Sequence, residues 1–295
     1  MHPRPRLALA TAFLALLFAP AIDAAPISGL YIFGDSLSDP GNSAIDFRST
    51  AVPPFKVTQQ SDITSNAFIP TFPYANSLQY SNGNVWAYQF ATMLGLPWQV
   101  AGPVRGGGIG ANYAFANAAT GPLNNSSSPP TLLTQTGNFI TSLGAAQAPG
   151  DALYVIAGGG NNARTALSPI AGGPAASFLG TTLTTSMNDA MALRLAGEVD
   201  VKTFDLFGLI TSITANPGAY GLTNATNASG AIPGADPSTY LCWDGIHPTS
   251  AGHAILAESM YVVAVPEPSG CLLVATSLMS VVTVLRRRSK TRQTS

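Results

Sequence analysis

The sequence has little charge and few histidines, and each shortage excludes a class of function. Charged residues make up only 9% of the chain, against roughly 25% in an average soluble domain. A formal net charge of -1 gives no long-range field that would attract phosphates, so nucleic acid is not an expected partner. The three histidines, one of them at position 2, have no metal-ligand spacing, so metal-dependent hydrolysis is not expected either.

Cysteine is equally scarce. The chain has two, Cys242 and Cys271, and the second lies in a hydrophobic stretch near the end of the sequence. The body of the chain therefore cannot form an internal disulfide, and its stability must come from a buried core. The content of 46% apolar residues over 295 positions is enough for such a core. Cys242 is expected to be a small packed side chain.

Residues 1–25 have the pattern of an export signal. Basic Arg4 and Arg6 precede the apolar run "LALATAFLALLFAPAI", and small residues follow at Ala24 and Ala25. This order is typical of a secretory signal peptide, with cleavage expected near Ala24. The alternative is an N-terminal membrane anchor.

Residues 265–295 contain a second targeting pattern. "VPEPSG" is followed by an apolar run that ends at Leu285 and then by "RRRSK". The three-part pattern resembles the PEP-CTERM sorting tail of Gram-negative bacteria. The resemblance implies membrane contact through the tail, recognition by a sorting protease of the exosortase type, and a protein at the cell surface, in the extracellular matrix or in the periplasm. A plain transmembrane tail anchor is the alternative, although the run is shorter than the roughly 20 residues of a full span.

The body between these ends, 26–264, alternates between strand-like and helix-like segments. Short apolar runs at 30–33, 152–157 and 199–206 predict strands buried on both faces. Helical patterns are predicted from an Asn84 cap to Gly95, over 176–198, and after a Ser250 cap. Such an alternation predicts an α/β domain with a mostly parallel sheet between helices. Residues 44–82 and 123–130 are expected to be long loops that form the walls of a site.

Polar residues follow two of the predicted strands, where ligands bind in open parallel sheets. Ser36 follows the first strand in "GLYIFGDSLSDPGN", and "GGGNN" at 158–162 follows the second. A serine hydroxyl needs an adjacent base to act as a nucleophile. His247 is the expected base, because Asp244 lies three residues earlier and can orient its imidazole. His253 has no acid spaced to orient it and is expected to be structural.

An acyl-transfer site also needs hydrogen-bond donors for the oxyanion. The backbone N–H of Ser36 is one candidate, and the side-chain amide of Asn161 is another. The glycines at 158–160 would let this loop approach a substrate closely. Three polar residues near Ser36 are predicted to hold their own turn backbone: Asp35, Asp39 and Asn42.

Six segments carry a family resemblance: "FGDSLSDPGN" at 33–42, "NGNVWAYQFATMLGL" at 82–96, "NYAFANAA" at 112–119, "LYVIAGGGNN" at 153–162, "FDLFGLI" at 204–210 and "DGIHPTSAGH" at 244–253. In this order they resemble the GDSL or SGNH hydrolase family over nearly all of 26–264. The resemblance implies a flavodoxin-like three-layer α/β/α sandwich and an esterase or lipase that needs no metal or cofactor. It assigns Ser36 as nucleophile, His247 as base and then acid, Asp244 as orienter, and Asn161 as an oxyanion donor.

Two departures from the family pattern bear on activity. Where the family has a Gly-Gly pair whose second N–H serves the oxyanion, this chain has Ala116 and Asn117. A backbone donor does not require glycine, and Asn tolerates left-handed φ well, so Asn117 remains a candidate donor. The second departure is Asn162, which stands where the family has an acid.

The function expected from these residues is an exported carboxylic-ester hydrolase. Its expected substrates are acyl groups of surface glycans or lipids, and acyl transfer to a hydroxyl would use the same residues. The alternative is a non-catalytic binding protein of the cell surface or exopolysaccharide, built on a hydrolase scaffold and motivated by the two departures.

Overall fold

Short parallel strands and seven α-helices make up the part of the chain that the structure describes. The structure is a computed structural model that describes residues 27–50, 62–99, 110–121, 129–167, 174–198 and 200–265. The predicted export signal and nearly all of the predicted sorting tail lie outside these ranges. No helix within them is both long and apolar enough to cross a membrane.

The strand β1, Leu30–Gly34, lies in the middle of a small parallel sheet. It pairs along its whole length with β2, Leu153–Ala157. On its other edge, the extended segment 111–115 also runs parallel to it, with a bridge between Ile32 and Asn112. Both strands coincide with the apolar runs from which they were predicted, 30–33 and 152–157.

A second parallel pair is formed by β3, Asn224–Ala228, and β4, Tyr240–Cys242. The helices, in chain order, are α1 Asn42–Thr50, α2 Trp86–Met93, α3 Leu132–Leu143, α4 Gly160–Leu167, α5 Pro174–Leu195, α6 Leu206–Ala215 and α7 Ser250–Ala264. The described residues are therefore mixed α/β with small sheets.

The largest buried cluster joins β1 to α2 and α7. Leu30 and Ile32 of β1 pack with Trp86 and Phe90 of α2 and with Leu256 of α7, and all five are buried. Burying aromatic and branched side chains of this size stabilises the fold by roughly 1.5–3 kcal/mol each. The cluster fixes β1 relative to α7, the helix that begins just after His247.

The predicted strand at 199–206 is wrong over the residues described. Residues 201–205 form no strand, and α6 begins at Leu206. The carboxylate of Asp205 accepts a hydrogen bond from the N–H of Gly208 at 2.9 Å. An Asp in this position caps a helix, and so the chain turns into α6 instead of continuing as a strand.

Two predicted helix caps are each wrong by one residue. α2 is preceded by Val85 and not by Asn84 as its N-cap. At α7 the cap is Thr249, whose hydroxyl accepts a hydrogen bond from the N–H of Gly252 at 2.9 Å. Because this hydroxyl already reaches the first turn, Ser250 becomes the first helical residue.

The loop predicted at 44–82 is correct only in its second half. Residues 44–50 belong to α1, whereas residues 62–82 form irregular structure. Residues 51–61, and residues 123–128 of the other predicted loop, lie outside the described ranges.

His253 lies fully buried in α7, and neither of its ring nitrogens has a hydrogen-bond partner among the described residues. Burial and the nearby charge of His247 lower the pKa of His253 to about 3. The imidazole is therefore neutral in the folded protein at ordinary pH and acts as a packing group, in line with its predicted structural role.

This burial predicts a pH dependence of stability. The unfolded chain takes up a proton at His253 near pH 6.5, whereas the folded protein does so only near pH 3. Lowering the pH through this window should therefore reduce the free energy of unfolding by roughly 1.4 kcal/mol per pH unit. When the free energy of unfolding is measured in urea between pH 6.5 and 4.5, it should fall less steeply with decreasing pH in His253→Leu than in the parent, by this amount per pH unit. The same pH dependence in both proteins would contradict the prediction.

Candidate active site

Three parallel segments end at the same edge of the first sheet, and each carries a predicted site residue just beyond its carboxyl end. β1 leads to Ser36, β2 leads through Gly158 to Asn161, and the segment 111–115 leads to Asn117. The sequence predicted the convergence of the first two ends. The third follows from the pairing of 111–115 with β1.

The turn after β1 is held by close packing around Gly34. A Cβ at Gly34 would lie 2.7 Å from the Ser38 hydroxyl and 2.9 Å from the carbonyl oxygen of Ala157, so only glycine fits. The side chain of Gln135 accepts from the Gly34 N–H at 2.8 Å and donates to its carbonyl at 2.9 Å. These contacts fix the point at which the chain leaves the sheet toward Ser36.

Asp39 ties this turn to the Asn117 segment. One carboxylate oxygen accepts from the N–H groups of Gly41 and Asn42 at 2.8 and 2.7 Å. The other accepts from the N–H of Ala116 at 3.0 Å. Burial raises the pKa of Asp39, and hydrogen bonds from the backbone oppose that rise. The predicted role of Asp39 as a turn residue is confirmed, and the residue also joins two parts of the site.

Asp35 is a turn residue as predicted. Its carboxylate accepts from the N–H of Leu37 at 3.1 Å. Burial raises its pKa, while the nearby charges of His247 and Arg164 act in the opposite direction.

His247 and Asp244 lie in a short turn that follows β4. The turn is closed by a hydrogen bond from the N–H of Trp243 to the carbonyl of His247 at 2.8 Å. One oxygen of Asp244 accepts from the N–H groups of Ile246 and His247, each at 2.8 Å. The carboxylate therefore has a fixed orientation inside the turn.

The imidazole of His247 joins Asp244 to Ser36. Its Nδ1 lies 2.8 Å from an Asp244 oxygen, and its Nε2 lies 2.9 Å from the Ser36 hydroxyl. A carboxylate only accepts hydrogen bonds, so Nδ1 carries the hydrogen and Nε2 presents its lone pair to the serine. Asp244 and His247 are buried, and Ser36 is half-buried. The structure thus brings together the three residues singled out by the sequence.

The irregular segment 62–82 packs directly on this turn. The N–H of Gly245 donates to the carbonyl of Phe68 at 2.7 Å. A Cβ at Gly245 would lie 2.6 Å from the same carbonyl oxygen. Any larger residue would push the segment away, so Gly245 is required by this close approach.

Two tyrosines from this segment complete the surroundings of His247. The hydroxyl of Tyr74 donates to an Asp244 oxygen at 2.7 Å, and the ring of Tyr80 packs against the imidazole with centroids 5.2 Å apart. Burial and the Asp244 charge raise the pKa of Tyr74, which keeps its hydroxyl protonated as a donor. Residues 62–82 have no regular hydrophobic period, so neither tyrosine was predicted as a site residue.

The other two candidate oxyanion donors follow the two segments that pair with β1, at the sheet edge where Ser36 also lies. Asn117 has a φ of +61°, the left-handed conformation that was expected of it. The side-chain NH₂ of Asn161 donates to the carbonyl of Ala118 at 2.9 Å, which leaves its second hydrogen available. Asn162 accepts from the N–H of Thr120 at 2.9 Å and so braces the loop without a charge.

Arg164 also lies beside these donors and was not identified from the sequence. Its guanidinium nitrogen Nη2 donates to the side-chain oxygens of Asn117 and Asn161 at 3.1 and 3.2 Å. The guanidinium therefore turns the oxygen of each amide toward itself.

Cys242 is close to this site but is not equipped as a nucleophile. It is half-buried at the end of β4, and burial together with the Asp244 charge raises its pKa to about 11. The thiol stays protonated at ordinary pH, which agrees with the predicted packing role.

A pocket of about 240 Å³ lies on the Tyr74 side of the site. Its walls are formed by Tyr74, Ala75, Asn76, Ser81, Asn82, Pro237 and Trp243. Neither Ser36 nor His247 is among these residues. The side chains proposed to react therefore do not line this pocket.

The Tyr74 hydrogen bond predicts a measurable loss of stability. Tyr74→Phe leaves the buried Asp244 carboxylate with one donor fewer and should lower the free energy of unfolding by roughly 1.5–3 kcal/mol at pH 7. Tyr80→Phe is the matched control, because it removes the hydroxyl of a buried tyrosine that does not bond to Asp244. Urea unfolding should separate the two variants, and equal losses would show that the hydrogen bond contributes nothing specific.

No known protein family model matches the chain, and no curated protein matches it either.

Proposed function

We propose that the protein is a serine hydrolase of carboxylic esters, in which Ser36 is the nucleophile, His247 the general base and Asp244 the residue that orients it. The observation that carries the proposal is the continuous chain of hydrogen bonds from Ser36 through His247 to Asp244. A nucleophile, a base and an orienting group within hydrogen-bond reach form the arrangement that acyl transfer requires.

The first half of the reaction forms an acyl-enzyme. The Ser36 oxygen attacks the ester carbonyl carbon while its proton passes to Nε2 of His247. The resulting imidazolium is stabilised by the Asp244 carboxylate at Nδ1. The tetrahedral intermediate then collapses, His247 donates the proton to the leaving alcohol, and the acyl group remains on Ser36.

In the second half, water takes the place of the alcohol. His247 removes a proton from the water, which attacks the acyl carbon, and the same proton then returns to the Ser36 oxygen as the acid leaves. If a sugar or lipid hydroxyl replaces the water, the same steps transfer the acyl group. The enzyme returns to its starting state without a cofactor.

The negative charge on the carbonyl oxygen requires donors that are already oriented. The N–H of Ser36 and the second hydrogen of the Asn161 amide are the proposed donors, with the N–H of Asn117 as a third. Such donors contribute most where water is excluded, and losing one from an oxyanion hole costs roughly 10²–10³ in kcat. The left-handed backbone of Asn117 supports its use in place of glycine.

The family resemblance and the arrangement of the strands support the finer fold proposal. We infer that residues 26–264 form an SGNH hydrolase domain, a flavodoxin-like three-layer α/β/α sandwich. The support is that candidate residues lie beyond the carboxyl ends of parallel strands, where open α/β sheets bind ligands. The proposed substrates are acylated surface glycans or lipids.

The two ends of the chain lead to a proposal about location. Residues 1–25 would direct export, and residues 265–295 would contact the membrane until an exosortase-type protease removes them. The mass of the exported protein from the native Gram-negative cell tests this, with loss of the tail expected. An intact tail embedded in the membrane would favour a permanent anchor.

Hydrolysis of 4-nitrophenyl acetate, butyrate, octanoate and palmitate by the full chain tests the activity. Ser36→Ala and His247→Ala should each lose most of the rate, roughly 10⁴-fold or more, because these residues act as a unit. Ser142→Ala is the matched control, since Ser142 is an exposed serine on α3, and it should keep the parental rate.

A fluorophosphonate that labels active serines gives an independent readout. Peptide mass spectrometry should find the label on Ser36 in the parent and not in His247→Ala. If the folded parent hydrolyses none of the esters and takes up no label, the hydrolase proposal is wrong. Retention of surface glycans on a column of the same inactive protein would then favour the binding-protein alternative.

A further inference from the structure

Arg164 holds an uncompensated positive charge at the edge of the proposed oxyanion site. Its Nη2 lies 3.1 Å from the side-chain oxygen of Asn117 and 3.2 Å from that of Asn161. Both acceptors are neutral amides, and no carboxylate among the described residues forms an ion pair with Arg164. The Arg164 charge acts on the buried Asp35, whose pKa it lowers while burial raises it.

The remaining hydrogen-bonding capacity of this side chain is suited to an anion. A guanidinium has five N–H donors in a rigid fork, and the two on Nη2 are enough for the two amide oxygens. The other three have no partner among the described residues. An exposed guanidinium with free donors binds carboxylate, sulfate or phosphate oxygens through charge-assisted hydrogen bonds.

The position of Arg164 is unusual for this chain because charge is so scarce. Only 9% of its residues are charged. Another cation, Lys202, donates to the carbonyl of Ala264 at 3.1 Å. That contact lies at the end of α7 remote from His247, roughly 20 Å along the helix axis. The charge of Arg164 is instead placed at Asn117 and Asn161, two of the proposed oxyanion donors.

We propose that Arg164 selects esters that carry an anionic group close to the ester carbonyl. This inference rests on the proposed esterase activity and narrows its substrate class to acidic acyl donors, such as esters of glycans that bear carboxylates or sulfates. The neutral amides of Asn117 and Asn161 hold the guanidinium in place without cancelling its charge. A neutral substrate has no anionic group with which to make this contact.

Two pairs of esters test the proposal on the full chain, and each pair differs in one negative charge. The first is 4-acetoxybenzoate with its methyl ester, where the charge is on the alcohol side. The second is mono-4-nitrophenyl adipate with its methyl ester, where the charge is on the acyl side. For each protein the readout is the ratio of kcat/KM for the anionic ester to kcat/KM for the neutral one, so that differences in intrinsic reactivity cancel between proteins.

Arg164→Gln should lower this ratio about five- to tenfold for at least one pair, the size expected of a partly exposed charge contact. Lys202→Gln is the matched control, because it removes one positive charge away from the site, and it should leave both ratios unchanged. In the parent, raising the ionic strength should lower the same ratio, since salt screens exposed charges.

The remaining outcomes separate this inference from the proposed function. If Arg164→Gln lowers the rates of the anionic and neutral esters equally, the residue serves the oxyanion site itself, by positioning the Asn117 and Asn161 amides or through its charge, and selection by substrate charge is wrong. Unchanged ratios in both pairs also overturn the inference while leaving the esterase intact. If the folded parent hydrolyses none of the four esters, the proposed function itself fails.

Discussion

The hydrogen bond between Ser36 and His247 joins residues that are 211 positions apart in the chain, and the rest of the site depends on that meeting. Neither residue is brought there by local structure alone. The β1, α2 and α7 cluster fixes the strand before Ser36 against the helix after His247. The core therefore sets a distance of 2.9 Å between two side chains that a small shift of either element would separate.

Two buried acids hold the chain around the site in a fixed conformation. Asp39 accepts hydrogen bonds from three or more backbone N–H groups. Asp244 accepts from two backbone N–H groups, from the Tyr74 hydroxyl and from Nδ1 of His247. A buried carboxylate is costly unless such donors surround it, so each acid forces the chain around it into one conformation. Asp39 fixes the turn after β1 relative to the Asn117 segment, and Asp244 fixes the ring of His247. In a chain with so few charges, these acids organise backbone more than they attract partners.

The sequence predicts those parts of the site in which chemistry and spacing are local. Asp244 and His247 share one turn, and the end of an apolar run marks the position of Ser36. The segment 199–206 was wrongly predicted as a strand because its apolar pattern fits one. The contact that decides its structure is the Asp205 cap at the start of α6. Tyr74 could not be predicted, since it reaches Asp244 across 170 positions from a segment with no regular period.

Asn117 shows how a residue other than glycine can occupy a left-handed position and add a contact there. At a φ of +61° the backbone keeps the conformation that glycine would permit, because Asn tolerates the left-handed region. The side-chain oxygen of Asn117 accepts a hydrogen bond from Arg164 at 3.1 Å. Glycine has no side chain and could not hold the guanidinium in this way. The side chain of Asn117 therefore helps to hold the positive charge of Arg164 at the edge where the parallel strands end.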